Sequence, residues 1–124
     1  MAPKLRLAAL PFAAVYPLYV RKAEKKGRTK QEVDAVITWL TGYSVAQVKK
    51  LCAAEVDLAT FFAKATLHRN AKAVTGAVCG VRVEAIEDPL LWKIRVLDKL
   101  IDELARGKAL ERVLRVTPSK SASA

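Results

Sequence analysis

The sequence predicts an all-α, single-domain bundle of five to seven short-to-medium helices joined by short turns. Three observations carry that prediction. Apolar residues recur at helical spacing along most of the chain. Side-chain caps punctuate several successive helix starts. With 124 residues and 52% hydrophobic side chains, the chain suits one domain with a substantial core.

The first helix is marked by Tyr16, Tyr19, Val20 and Ala23 at i, i+3, i+4, i+7, with Arg21, Lys22, Lys25 and Lys26 on the other side. Gly27 ends it. Pro17 is expected in its first turn, because a proline inside a helix removes a hydrogen bond and costs ~3 kcal/mol. Thr29 to Glu32 then has the form of a capping box, opening a helix with Val33, Val36, Ile37 and Leu40 inward, Trp39 beside them and Gly42 as terminator. Ser44 to Gln47 is a second capping box, with Tyr43 placed to staple onto Val48 and a predicted stripe of Val45, Val48, Leu51 and Cys52. Asp57 caps a fourth start, with Phe61, Phe62 and Ala65 on the inner face.

Residues 71–87 fit two periods. Val81, Val83 and Ala85 alternate with Arg82 and Glu84 as in a strand, whereas Val74, Val78, Val81 and Ala85 keep a helical rhythm. Helix is favoured, since a lone strand leaves its backbone groups without partners, and Gly76 and Gly80 would then let a neighbouring helix approach closely. Asp88-Pro89 opens a long helix that runs to about Arg106 and stops at Gly107. Leu90, Ile94, Leu97, Ile101 and Leu104 form one seam, and Trp92, Val96 and Leu100 a second stripe almost opposite. A helix apolar on two sides is either central in its own domain or half of an interface. Lys108 to Val116 predicts a last short helix, and Thr117 to Ala124 a disordered polar tail, so the domain spans 6–116.

Three long runs, PFAAVYPLYVRKAEKKGRTKQEVDAVITWLTGYS, TGAVCGVRVEAIEDPL and IRVLDKLIDELARGKALERVLR, resemble a family of small conserved proteins found largely in bacteria and known as domain of unknown function twenty-two hundred. The resemblance covers about Arg6 to Arg115. It implies an all-helical fold and supplies no activity, so no catalytic or binding residue is carried over. The departures are the polar C-terminal extension and the stretch around His68, where members tend to carry a polar loop with Pro or Asn. The basic, acid-poor N-terminus looks like an organelle presequence, but from Arg6 onward it resembles the family's domain, which argues against cleavage.

Function classes narrow from here. The longest uncharged stretch, Leu7 to Val20, has 14 residues and two prolines, too short to span a membrane. Cys52 and Cys79 read as reduced, buried thiols of a cytoplasmic protein. His68 is the sole histidine and nothing places a nucleophile beside it. Cys and His together number three, below the four that structural zinc takes, and TGAVCGVR lacks the phosphate-loop order. No catalytic, cofactor-binding or metal residue is assigned, and the expected role is a non-enzymatic interaction or self-associating module, with Trp92, Val96 and Leu100 as the candidate interface to a second copy or a protein partner.

Two alternatives rest on charge. Arg21, Lys22, Lys25, Lys26, Arg28 and Lys30 put six cations against one acid and suit a phosphate backbone. Glu84, Glu87, Asp88, Asp98, Asp102 and Glu103 would suit Mg²⁺-dependent nucleotide hydrolysis if they converged, although pairs such as Lys99 with Glu103 and Asp102 with Arg106 compete for them. The net charge of +10 is uneven: residues 1–30 carry +7 and residues 81–104 carry −2.

Overall fold

The computed structural model describes residues 8–78 and 80–114, so Cys79 and the predicted tail at 117–124 lie outside the described residues. Six α-helices are present among them: α1 (Phe12–Glu24), α2 (Lys30–Thr41), α3 (Val45–Ala53), α4 (Leu58–Ala63), α5 (Pro89–Ala105) and α6 (Leu110–Val113). Between α4 and α5 lie a 3-10 turn (Arg69–Ala73), a two-stranded hairpin of β1 (Ala77–Val78) and β2 (Val81–Arg82), and a second 3-10 turn (Val83–Ala85). The fold is thus predominantly α, a single domain, as the periodicity predicts.

Every cap predicted from sequence forms. The Thr29 and Ser44 hydroxyls accept from the N–H groups of Glu32 and Gln47, whose side chains accept in return from the cap residues' own N–H groups. Asp57 accepts from the Thr60 N–H and Asp88 from the Leu91 N–H, with Pro89 in the first turn of α5. Gly42 closes α2 in the left-handed conformation, φ +78°, where a Cβ would also stand 3.1 Å from the Thr66 carbonyl oxygen.

Helix α5 is the axis of the fold, touching α1, α2, α4, α6, β1 and the second 3-10 turn. Its seam residues Ile94, Leu97, Ile101 and Leu104 are buried, and so are Val96 and Leu100 of the opposite stripe. The two-sided helix is therefore central in its own domain. Val96 and Leu100 are covered by this chain and cannot form the predicted interface; only Trp92 of that trio keeps partial exposure.

Four local expectations are corrected. Helix α1 begins at Phe12, placing Pro17 inside it. Phe12 is fully buried and its N–H donates to the Val56 carbonyl, so tertiary burial extends the helix past the position where proline alone would start it. In α3 only Val48 is buried; Leu51 and Cys52 are half-buried and Val45 is 43% exposed. Helix α6 is a short turn at Leu110–Val113 that leaves out Lys108, Ala109 and Leu114 of the predicted segment, and residues 115–116 lie outside the described residues.

The fourth correction concerns residues 74–87, whose described residues form a hairpin and a 3-10 turn and not an α-helix. Gly76 and Gly80 have φ of +107° and +80°, incompatible with a right-handed helix. The missing partner strand is supplied within four residues, with Ala77 opposite Arg82 and Val78 opposite Val81. Glu84 fastens the base: its carboxylate accepts from the Gly76 N–H at 2.9 Å and the Arg82 Nε at 3.0 Å. The Gly76 N–H, with help from Arg82, holds the Glu84 pKa down to about 2 from the usual 4.5. A depressed carboxylate pKa contributes stability above the unfolded value and loses it as pH falls through the folded one. The Gly76 amide resonance is therefore expected to titrate with a midpoint near 2, measured by NMR; a midpoint at the ordinary 4.5 contradicts the contact.

Candidate functional site: a basic groove at the helix ends

Contacts rise together along α1 and α5: the Tyr19 hydroxyl donates to Asp98 Oδ1 at 2.5 Å, and Lys22 Nζ lies 3.2 Å from Asp102 Oδ1. The two helices thus run parallel, and their C-terminal ends meet on one side of the molecule. Helix C-termini carry about half a negative charge each, which favours cations there. Arg21, Lys22, Lys25, Lys26, Arg106 and Lys108 gather at this end with Glu24, Asp102 and Glu103, leaving a surplus of three positive charges. That surplus exceeds what the two helix ends offset.

The centre of the arrangement is a groove of about 590 Å³ lined by Lys22, Lys26, Asp102, Ala105 and Arg106. Asp102 has both oxygens engaged, one by Lys22 and the other by Arg106 Nε at 2.9 Å. It aligns the two cations without spending them, since Lys22 and Arg106 keep 47% and 77% of their side-chain surface exposed. A shallower depression shares Lys22, Asp102 and Arg106 and continues to the hairpin at Ala77, Val78 and Gly80.

The predicted basic run divides into three parts. Lys22 and Lys26 line the groove, and Arg21 and Lys25 are exposed on the same helix end. Arg28 is structural: it grips Glu32 at 2.8 Å and donates from Nη1 to the Lys108 carbonyl at 3.0 Å, tying the α1–α2 turn to the α5–α6 turn. Arg28 and the Thr29 N–H together hold the Glu32 carboxyl below its usual range. Lys30 points elsewhere, 3.3 Å from Asp34 and 5.6 Å from the Tyr16 ring centroid. Arg106 and Lys108 escape the sequence reading as site residues. Asp102–Arg106 looks like an ordinary surface pair until α1 is laid alongside it.

The six carboxylates do not converge. Glu84 holds the hairpin and shares a cleft with Glu87 and Lys72, Asp88 caps α5, Asp98 pairs with Arg95 at 2.9 Å, Asp102 aligns the groove, and Glu103 lies between Lys99 and Lys108 at 3.9 and 3.5 Å. Among the described residues no three His, Cys, Asp or Glu side chains come together to hold a metal ion. The premise of a helical Mg²⁺ site is not met among the described residues, because caps and neighbouring cations engage these acids one at a time. His68 is likewise occupied: its Nδ1 accepts from the Asn70 N–H at 2.9 Å and its ring stacks on Trp39. Cys52 is a free, half-buried thiol. No described helix is long and apolar enough to cross a membrane.

Residues 6–115 match the family model described as an uncharacterized protein conserved in bacteria, DUF2200. The chain belongs to this family. It is also similar to the crystal structure of uncharacterized protein SP1917, with 43% sequence identity, 93% of each chain covered and a TM-score of 0.84. No curated protein matches the chain. Membership in DUF2200 fixes the fold and assigns no activity, so the basic groove has to be read from its own chemistry.

Proposed function

We propose that the protein is a non-enzymatic binding module whose basic helix-end groove docks the phosphate backbone of nucleic acid. The observation that carries this reading is the convergence of Lys22 and Lys26 from α1 with Arg106 from α5 on one groove. Cations gathered along an open cleft suit a row of phosphates better than a single buried anion. In this reading the groove's Lys and Arg side chains meet phosphates, contacts that carry no sequence information, so binding is sequence-independent. The self-association reading is not preferred, since two of its three residues are interior.

With Arg21, Lys22, Lys25, Lys26 and Arg106 engaged, about five phosphates are neutralised, and log affinity should fall with log salt at a slope of about −4.5 on duplex DNA. Anisotropy titrations of a random-sequence duplex at several salt concentrations measure it. Lys26→Ala with Arg106→Ala should flatten the slope by about 2. No binding at low salt, or a slope indifferent to both substitutions, refutes the proposal.

A further inference from the structure

A second cleft shares no residue with the basic groove. It opens between α1, α2 and α3, measures about 280 Å³, and is lined by Ala13, Tyr16, Lys30, Asp34, Val45, Val48, Lys49 and Cys52. Ligand cavities begin at roughly 300 Å³, so this one suits a small molecule. Its walls and its polar end are distinct. Ala13, Val45, Val48 and the Cys52 thiol form the apolar side, and burial pushes that thiol's pKa up, keeping it protonated and uncharged. Val45, 43% exposed, is one of few large apolar side chains left open to solvent, and an occupant of the cleft would cover it.

The polar end has its acceptors already engaged. The Tyr16 hydroxyl donates to Asp34 Oδ1 at 2.5 Å, and Lys30 Nζ donates to Asp34 Oδ2 at 3.3 Å. Each ammonium has three donors, so Lys30 keeps spare N–H groups, and Lys49 on α3 is exposed at the same cleft. Two ammonium groups against one carboxylate leave a single positive charge. The remaining capacity of the cleft is thus richer in N–H donors than in acceptors, carries one net positive charge, and borders an apolar wall.

We propose that this cleft binds a small monocarboxylate with a branched aliphatic or aromatic body, the carboxylate on Lys30 and Lys49 and the body on Ala13, Val45, Val48 and Cys52. The charge match selects an anion; the size and apolar wall select a carboxylic acid over inorganic phosphate. The inference does not depend on nucleic-acid binding at the other groove, and the test below reads only this cleft.

Cys52 reports occupancy directly, because a ligand on its thiol blocks alkylation. The rate of Cys52 labelling by iodoacetamide, followed by peptide mass spectrometry on the full chain, is measured with phenylacetate, isovalerate, phenylethanol or inorganic phosphate present. At about ten times Kd, one of the two acids should slow labelling about tenfold by mass action, with phenylethanol and phosphate giving no protection. Lys49→Ala, an exposed substitution that leaves the fold intact, should weaken protection by the acid about tenfold. Three results each overturn the proposal: no protection by either acid at tens of millimolar, equal protection by the uncharged alcohol, or protection by phosphate. Retained protection in Lys49→Ala overturns the assigned carboxylate position and with it the proposal.

Discussion

Phe61→Ala is expected to destabilise the domain by about 3–5 kcal/mol, a large share of the roughly 5–15 kcal/mol that holds a typical domain folded. Phe61 is fully buried and lies face to face with Phe12, ring centroids 3.9 Å apart and planes 5° from parallel. Phe62 meets it edge-on at 5.1 Å and Tyr43 at a tilt, also at 5.1 Å. Truncation therefore removes the centre of a four-ring cluster that joins α1 to α4. Three elements lose contacts at once, so the surroundings cannot close the void by moving one side chain. The Tyr43 hydroxyl, which donates to the Phe61 carbonyl at 2.6 Å, holds the backbone in place and further limits collapse. In urea, with a slope of about 1–3 kcal/mol per molar, the midpoint should fall by roughly 2 M. Phe61→Leu keeps most of the apolar volume and should lose distinctly less. A loss under about 1 kcal/mol for the alanine variant would contradict the placement of Phe61 at the centre of an enclosed core.

The same cluster shows where sequence reasoning stops. Thr29, Ser44, Asp57 and Asp88 mark helix starts because a cap is satisfied within three residues, so the information is local. The start of α1 is different, being set by Phe12 against Phe61 and Val56, far along the chain. Residues 74–87 satisfy both periods, and the choice falls to the Gly80 conformation and the Glu84–Gly76 contact, which no periodicity encodes. The site follows the same division. A run of cations from Arg21 to Lys30 is visible, but its division is not: Lys22 and Lys26 line a groove with Arg106, Arg28 reaches the Lys108 carbonyl, and Lys30 pairs with Asp34 on its own helix. The uneven charge also changes meaning once folded. Acids of the C-terminal half sit beside the basic end of α1 and align it, as Asp102 does with Lys22, where the linear sequence suggests two separate segments of opposite charge and opposite preference for a polyanion.

Leu100→Ala tests the interior placement of the second apolar stripe of α5. Leu100 is fully buried, as is Val96 one turn before it, within a helix that contacts α1, α2, α4 and α6. If these residues belong to the interior of one chain, truncation costs about 2–5 kcal/mol and lowers Tm by roughly 10 °C or more, equally at low and high protein concentration. If they formed a contact between copies, Tm would depend on concentration before the substitution and the loss would appear chiefly as dissociation. Thermal melts over a wide concentration range, with light scattering alongside, separate the outcomes. Trp92 supplies the internal control. It shares the stripe but is only half-buried and borders a cleft of about 340 Å³ with Lys72, Val74 and Glu87, so its neighbours already leave space on one side. Removing a side chain from such a border forfeits fewer contacts than emptying an enclosed position. Trp92→Ala should therefore cost less than its larger volume suggests, and a loss well above that of Leu100→Ala would place the indole in the core of the fold.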